Sequence, residues 1–213
     1  MYRRNGSLNT AQSISTEGRL FNMPSFQSMF MKSKGKPIQY AGTTLVMHDE
    51  FPTEGAIKLQ VIFETCNGNP VKEDSTRNWI PRPEFFRTAE DGLAPWRNLE
   101  PPGRWRQGIR LKCDGSFWGN NQTAAGKRGI VLWADSAPEV VELQLLDKPT
   151  AIIVYNVWDG GNGVIDAWHN GAAIIVEELP NGRRYRCNDG FADEDFDDLV
   201  FRIERVSDTA ARD

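Results

Sequence analysis

Hydrophobic and polar residues alternate in short runs along most of this chain. In Ile57–Glu64, the apolar Ile57, Leu59, Val61 and Phe63 alternate with Lys58, Gln60 and Glu64. That period of two predicts a strand with one buried and one wet face. Similar short runs predict strands at Thr43–Met47, Trp105–Leu111, Gly129–Ala134, Val140–Leu146, Ala151–Trp158, Ala172–Glu178, Arg183–Cys187 and Leu199–Val206. Val140–Leu146 also fits a short helix. Clusters of Gly, Asn, Asp and Pro separate these nine segments, and no βαβ alternation or glycine-rich phosphate loop interrupts them. The fold class expected is all-β, an antiparallel β-sandwich of jelly-roll-like character. One stretch has a different period. In Pro24–Lys32, Phe26, Met29 and Phe30 fall at i, i+3 and i+4, and Lys-Ser-Lys-Gly-Lys-Pro follows as a stop signal. This predicts a short N-terminal amphipathic helix.

The pattern divides the chain into an arm over residues 1–40, a single domain over 41–206 and a tail over 207–213. Inside the domain, the long loop 65–104 holds six of the twelve prolines. Loops of this length are uncommon in compact domains and are often functional. This one interleaves arginine with aromatics, Trp79 and Trp96 among them. Arginine over an indole, and indoles themselves, suit cation–π contacts and stacking on sugar rings, so both tryptophans are candidate ligand contacts. An irregular cover over the end of the sandwich would use the same residues.

Composition sharpens the class. The 213 residues include 19 Gly, 12 Pro and 7 Trp but only 2 His. That excludes a coiled coil, a collagen, a disordered chain and a helical bundle. No apolar run approaches the roughly 18 residues that a spanning helix needs. A net charge of −4 argues against a general nucleic-acid binder. Cys66, Cys113 and Cys187 have no zinc-site spacing. The start, MYRRNGSLNT, lacks an apolar stretch after its charges, so no secretory signal is visible and a cytoplasmic or non-classically exported chain is expected.

The mild net charge averages two opposite ends. Residues 1–40 carry six Lys/Arg against one acid, and residues 185–213 carry nine acids against four Arg. The acids concentrate in Asn188–Asp198, where Asp189, Asp193, Glu194, Asp195, Asp197 and Asp198 make six of eleven residues. So many carboxylates repel one another unless a cation sits among them. Calcium takes six to eight hard oxygen ligands and suits such a loop. The expected ligands are Asp189, Asp193, Asp195, Asp197 and Asp198. A strand's period of two would put Asp193, Asp195 and Asp197 on one side, with the turn Asn188–Gly190 bringing Asp189 close. An EF-hand is excluded because its sixth position, which needs glycine, is Asp198. The competing reading pairs the acids with Arg183, Arg184, Arg186 or Arg202.

The run Asp193–Phe201, D-E-D-F-D-D-L-V-F, resembles the closing motif of an uncharacterised β-sandwich domain of bacterial secreted and adhesion proteins. In that family the pattern is close to D-x-D-F-N/D-D-hydrophobic-V-F. The resemblance covers about fifteen residues. It implies calcium bound by the acidic positions, here Asp193, Asp195, Asp197 and Asp198, with Phe196, Val200 and Phe201 in the core. Asp197 stands where that family often has asparagine.

A second constellation precedes it: Trp158 and Asp159, then Gly160–Gly163, then Asp166, Trp168 and His169. Either aspartate would complete a calcium shell, and the two tryptophans would make a sugar platform. The function expected is a calcium-stabilised binding module with a glycan or protein-surface partner. Two alternatives stay open. One is a carbohydrate-active hydrolase with a carboxylate pair drawn from Glu64, Asp114, Glu177 and Glu178. A thiol–imidazole pair of Cys113 or Cys187 with His169 has no support from spacing. The other is a self-assembling protein whose basic arm docks on a neighbour's acidic loop, giving an oligomer.

Overall fold

The computed structural model describes residues 25–67, 105–119, 122–125, 128–161, 163–191 and 193–206. The expectations for residues 1–24, for the Arg–aromatic segment with Trp79 and Trp96, and for the tail after 206 lie outside the described residues.

The described residues are all-β and sandwich-like, with one helix among them. Helix α1 (Phe26–Ser33) starts at the N-cap Ser25, whose hydroxyl accepts the Ser28 N–H, and stops at Lys34 in a left-handed conformation. Gly35 N–H then returns to Phe30 O at 2.8 Å, closing the C-terminus. Strands β1 (Ile38–Tyr40) and β2 (Thr43–Leu45) form a hairpin through Ala41 and Gly42, with φ of 47° and 81°. This is the primed two-residue turn that matches strand twist. The expected boundary after residue 40 therefore falls inside a hairpin turn.

Two larger sheets make the body. The four-stranded sheet runs β3 (Asp49–Pro52), β10 (Ala151–Asp159), β5 (Arg106–Cys113), β8 (Ile130–Trp133). The seven-stranded sheet runs β11 (Ala173–Leu179), β12 (Gly182–Asn188), β13 (Leu199–Arg205), β4 (Lys58–Cys66), β9 (Val140–Leu145), β6 (Ser116–Gly119), β7 (Gln122–Ala125). Every named pairing is antiparallel. All nine expected segments contain a strand, and Val140–Leu145 resolves to strand, buried at alternate positions.

Between the sheets lies one apolar cluster. Leu59, Val61, Leu199, Phe201 and Ile203 meet Phe51, Ile109, Leu111, Ile152 and Val154 there. Each such side chain contributes about 1.5–3 kcal/mol by leaving water. Tyr185 is fully buried in this core and stacks on Phe201 at 4.7 Å, 12° from parallel. Its hydroxyl donates to Asp49 at 2.9 Å, so β12 and β3 are tied across the two sheets.

A smaller cluster sits outside the sandwich. Phe26, Phe30, Ile38 and Leu45 pack with Ala173 of β11 and Phe196. Val46 and Ile174 exchange backbone hydrogen bonds at 3.0 and 2.9 Å, so the N-terminal hairpin continues onto β11, the end strand of the large sheet. That contact satisfies backbone groups an open edge would expose. It also brings helix α1 against the acidic loop.

Candidate functional site

The acidic loop joins β12 to β13, and its base is built by a buried amide. Asn188 has no solvent exposure and donates to Gly171 O at 3.0 Å and Phe191 O at 2.8 Å. Its carbonyl oxygen accepts Phe196 N–H, and its backbone carbonyl accepts from Asn156 Nδ2 at 3.0 Å. Asp189, equally buried, accepts from Phe191 N–H and from Gln107 Nε2, both at 2.7 Å. Its own N–H donates to Asp198 Oδ2 at 2.7 Å. Asp189 thus shapes the loop from within.

The strand geometry expected for the acids is not adopted. Glu194 and Phe196 have φ of 62° and 55°. Each left-handed residue redirects the chain and cancels the period of two. Phe196 turns inward to the small cluster, its ring 5.9 Å from that of Phe26. Glu194 turns to Tyr40, whose hydroxyl lies 2.9 Å from both carboxylate oxygens. The carboxylates of Asp193, Asp195 and Asp198 come together instead, with one oxygen of each within 4.8 Å of the others. Asp198, not Asp197, completes the group. Asp197 lies beside Asp195, whose Oδ1 accepts the Asp197 N–H at 3.2 Å.

Two of the three are solvent-exposed, whereas Asp198 is buried. Burial pushes the Asp198 carboxyl up to about 8, aided by the charges of Asp189, Asp193 and Asp195 and opposed by the Asp189 N–H. Asp195 is also raised, first by burial and then by the neighbouring Asp197 charge, against backbone N–H bonds that favour ionisation. The donors are all hard oxygens, which fit calcium and give zinc no nitrogen or sulfur.

Of the four arginines proposed as alternative partners, Arg183, Arg184 and Arg202 bind acids outside the loop, and Arg186 reaches it. Arg183 binds Asp49 at 3.0 Å and Glu178 at 2.8 Å. Arg184 binds Glu64 at 2.7 Å and Glu177 at 3.1 Å. Arg202 binds Glu64 at 3.1 Å and Glu204 at 2.7 Å. Arg186 donates to the backbone carbonyl of Asp195 at 3.3 Å.

The tryptophan–glycine constellation is split by the sheet. Trp158 points inward, is only 3% exposed, and packs so closely on Gly190 that a Cβ there would meet its Cζ2 at 2.7 Å. It is a core residue. Asp159 accepts Gly161 N–H at 2.8 Å and Gly163 N–H at 3.0 Å, bracing its own loop. Asp166 pairs through its backbone with Trp158. Trp168 is 39% exposed and packs on Tyr155, centroids 4.7 Å apart, so the expected pairing of two tryptophans is not formed.

Residues offered for hydrolysis are held in other ways. Glu64 is partly buried, which opposes ionisation, yet the hydrogen bonds and charges of Arg184 and Arg202 hold it below the usual carboxylate range. Burial pushes the Cys113 thiol up to about 11, with Asp147 and Asp114 adding to it, and burial also raises that of Cys187 well above its ordinary value, with Asp198 adding to it. Neither makes a ready thiolate nucleophile.

Gln107 and Tyr40 are structurally decisive here and were not singled out from the sequence, and Asn188, read there only as part of a turn, braces the loop through its side chain. For Gln107 a signal exists: it interrupts the inward row continued by Ile109 and Leu111, and a polar residue on a buried face needs a partner. The Tyr40–Glu194 contact spans 154 positions and has no local signal. Among the described residues, no helix is long and apolar enough to cross a membrane. No protein-family model, curated protein or solved structure matches this chain.

Proposed function

We propose that this chain is a calcium-stabilised β-sandwich binding module that recognises a glycan or cell-surface partner. The observation that carries the reading is the convergence of Asp193, Asp195 and Asp198 within 4.8 Å, one of them buried. Three carboxylates that close cannot all ionise cheaply, and a hard divalent cation removes the penalty. The resemblance of Asp193–Phe201 to the closing motif of secreted adhesion domains supports the same reading. The protein's part is to fix the loop: Asn188 braces its base, Phe196 anchors its middle, and Asp193 and Asp195 face outward as cation ligands beside Asp198. A rigid loop so stabilised would present the adjoining surface to a partner.

Extracellular calcium modules bind at about 10⁻⁴–10⁻³ M. At 10⁻⁴ M affinity, a hundredfold excess of calcium stabilises by about 2.7 kcal/mol. For a domain of this size that raises the melting temperature by roughly 5–10 °C. A thermal scan in calcium and in chelator should read that rise, and Asp195→Ala with Asp198→Ala should abolish it. An unchanged melting temperature at millimolar calcium would sink the proposal.

A further inference from the structure

The outer face of the four-stranded sheet carries a local group of basic side chains on β5. On β5, Gln107, Ile109, Leu111 and Cys113 point inward and are buried, so Arg106, Arg110 and Lys112 point outward. Arg106 is neutralised by Asp135 at 2.6 Å and covers the Trp133 ring at 4.4 Å. Arg110 and Lys112 form no ion pair among the described residues. Arg110 donates to Arg128 O at 2.9 Å, and its Nε is buried without an acceptor. The Lys112 ammonium lies 5.4 Å from the centre of the Tyr155 ring.

Directly across on β10, Tyr155 pairs with Arg110 and Ile153 with Lys112. Above Tyr155 lies Trp168, tilted by 41° and more than a third exposed. Trp168 holds a φ of 64°, a left-handed conformation that costs a bulky residue about 1–3 kcal/mol. An indole held in that conformation therefore lies near two cations that form no ion pair among the described residues.

We infer that this corner of the outer face docks an acidic polysaccharide bearing carboxylates on its sugar rings. The inference rests on the glycan-binding reading above and names the glycan class. Charge complementarity selects the occupant. A sugar ring stacks its C–H face on Trp168 while its carboxylate meets Arg110 and Lys112. Those two stand two residues apart on one strand, about 6.8 Å, the reach of a single sugar unit. A neutral glycan would leave both cations uncompensated. A nucleic acid needs a longer basic track than Arg110 and Lys112 provide, on a chain of net charge −4.

The test is calorimetry of the full chain in chelator with hyaluronan and oligogalacturonate fragments, their carboxyl-reduced forms, and single-stranded DNA. At least one acidic fragment should bind. Carboxyl reduction, Trp168→Ala, or Arg110→Gln with Lys112→Gln should each weaken it by about tenfold or more. The charge-keeping pair Arg110→Lys with Lys112→Arg should retain binding, which separates lost charge from lost fold. The inference is overturned if no acidic fragment binds at millimolar concentration, if reduced fragments bind equally, or if DNA binds more tightly. It is also overturned if binding appears only in calcium and disappears with Asp195→Ala while the Arg110→Gln, Lys112→Gln variant binds normally. The calcium reading has its own readout, the melting temperature, so the two fail separately.

Discussion

Strands β12 and β13 carry dense charge at both ends, and the two ends solve the same problem differently. At one end Glu64, Glu177, Glu178 and Glu204 each meet a guanidinium of Arg183, Arg184 or Arg202 at 2.7–3.1 Å. At the other, Asp193, Asp195 and Asp198 gather with one another. The effect on ionisation follows. Glu64 is drawn below the usual carboxylate range, whereas Asp198 is pushed up to about 8 by burial and its acidic neighbours. At one end each carboxylate faces a guanidinium, and at the other three carboxylates face one another. Charge density alone would not separate them; Arg183, Arg184 and Arg202 bind the carboxylates of the first end, whereas Arg186 donates to the backbone carbonyl of Asp195.

The largest effect expected from breaking this contrast comes from Phe196. It anchors the acidic loop in the small cluster with Phe26, and it is 7% exposed. Phe196→Ala should cost about 2–4 kcal/mol in urea unfolding and weaken calcium binding, because the loop loses the contact that fixes its turns. Among the described residues, none of the ion-paired side chains belongs to that cluster, so Glu64 should titrate as before. A variant that unfolds as the parent does and binds calcium equally would separate the loop from its anchor.

A smaller effect is expected at the ion-paired end. Glu64→Gln removes the shared partner of Arg184 and Arg202, and partial exposure limits the loss to about 1 kcal/mol. The sign follows from a lowered pKa. The unfolded carboxyl binds its proton near 4.5 and the folded one only at lower pH. Glu64 therefore stabilises fully above the unfolded value, and the contribution fades as pH falls through the folded value. The stability difference between parent and variant should be flat above about pH 6 and shrink toward pH 3. Calcium should leave it unchanged, since no ligand of the loop is touched. A difference that grows with acid would contradict the assigned ion pairs.

These contrasts also explain what could be read in advance. Ile57–Glu64 and Leu199–Val206 announce themselves because each buries one face of a long strand, and Leu199, Phe201 and Ile203 are all fully buried as their alternation requires. Asp49–Pro52 and Ser116–Gly119 were missed. Four residues are too few to set up a period, and Asp49 and Glu50 look like loop until Arg183 is seen beside Asp49. The acidic loop was visible as composition. Which acids converge was not, because the left-handed turns at Glu194 and Phe196 occur at residues that do not advertise them. Trp158 and Trp168 looked like partners. The pleat turns Trp158 to the core, and the following loop returns Trp168 over Tyr155 on the other side of the sheet.

The central claim, that one end of β12 and β13 is completed by a cation, is met most directly by calorimetric titration of calcium into the full chain and into Asp198→Asn. The account predicts a single site in the parent near 10⁻⁴–10⁻³ M and none in the variant, with Glu64→Gln binding as the parent does. Absence of binding in the parent, or equal binding in Asp198→Asn, would contradict it.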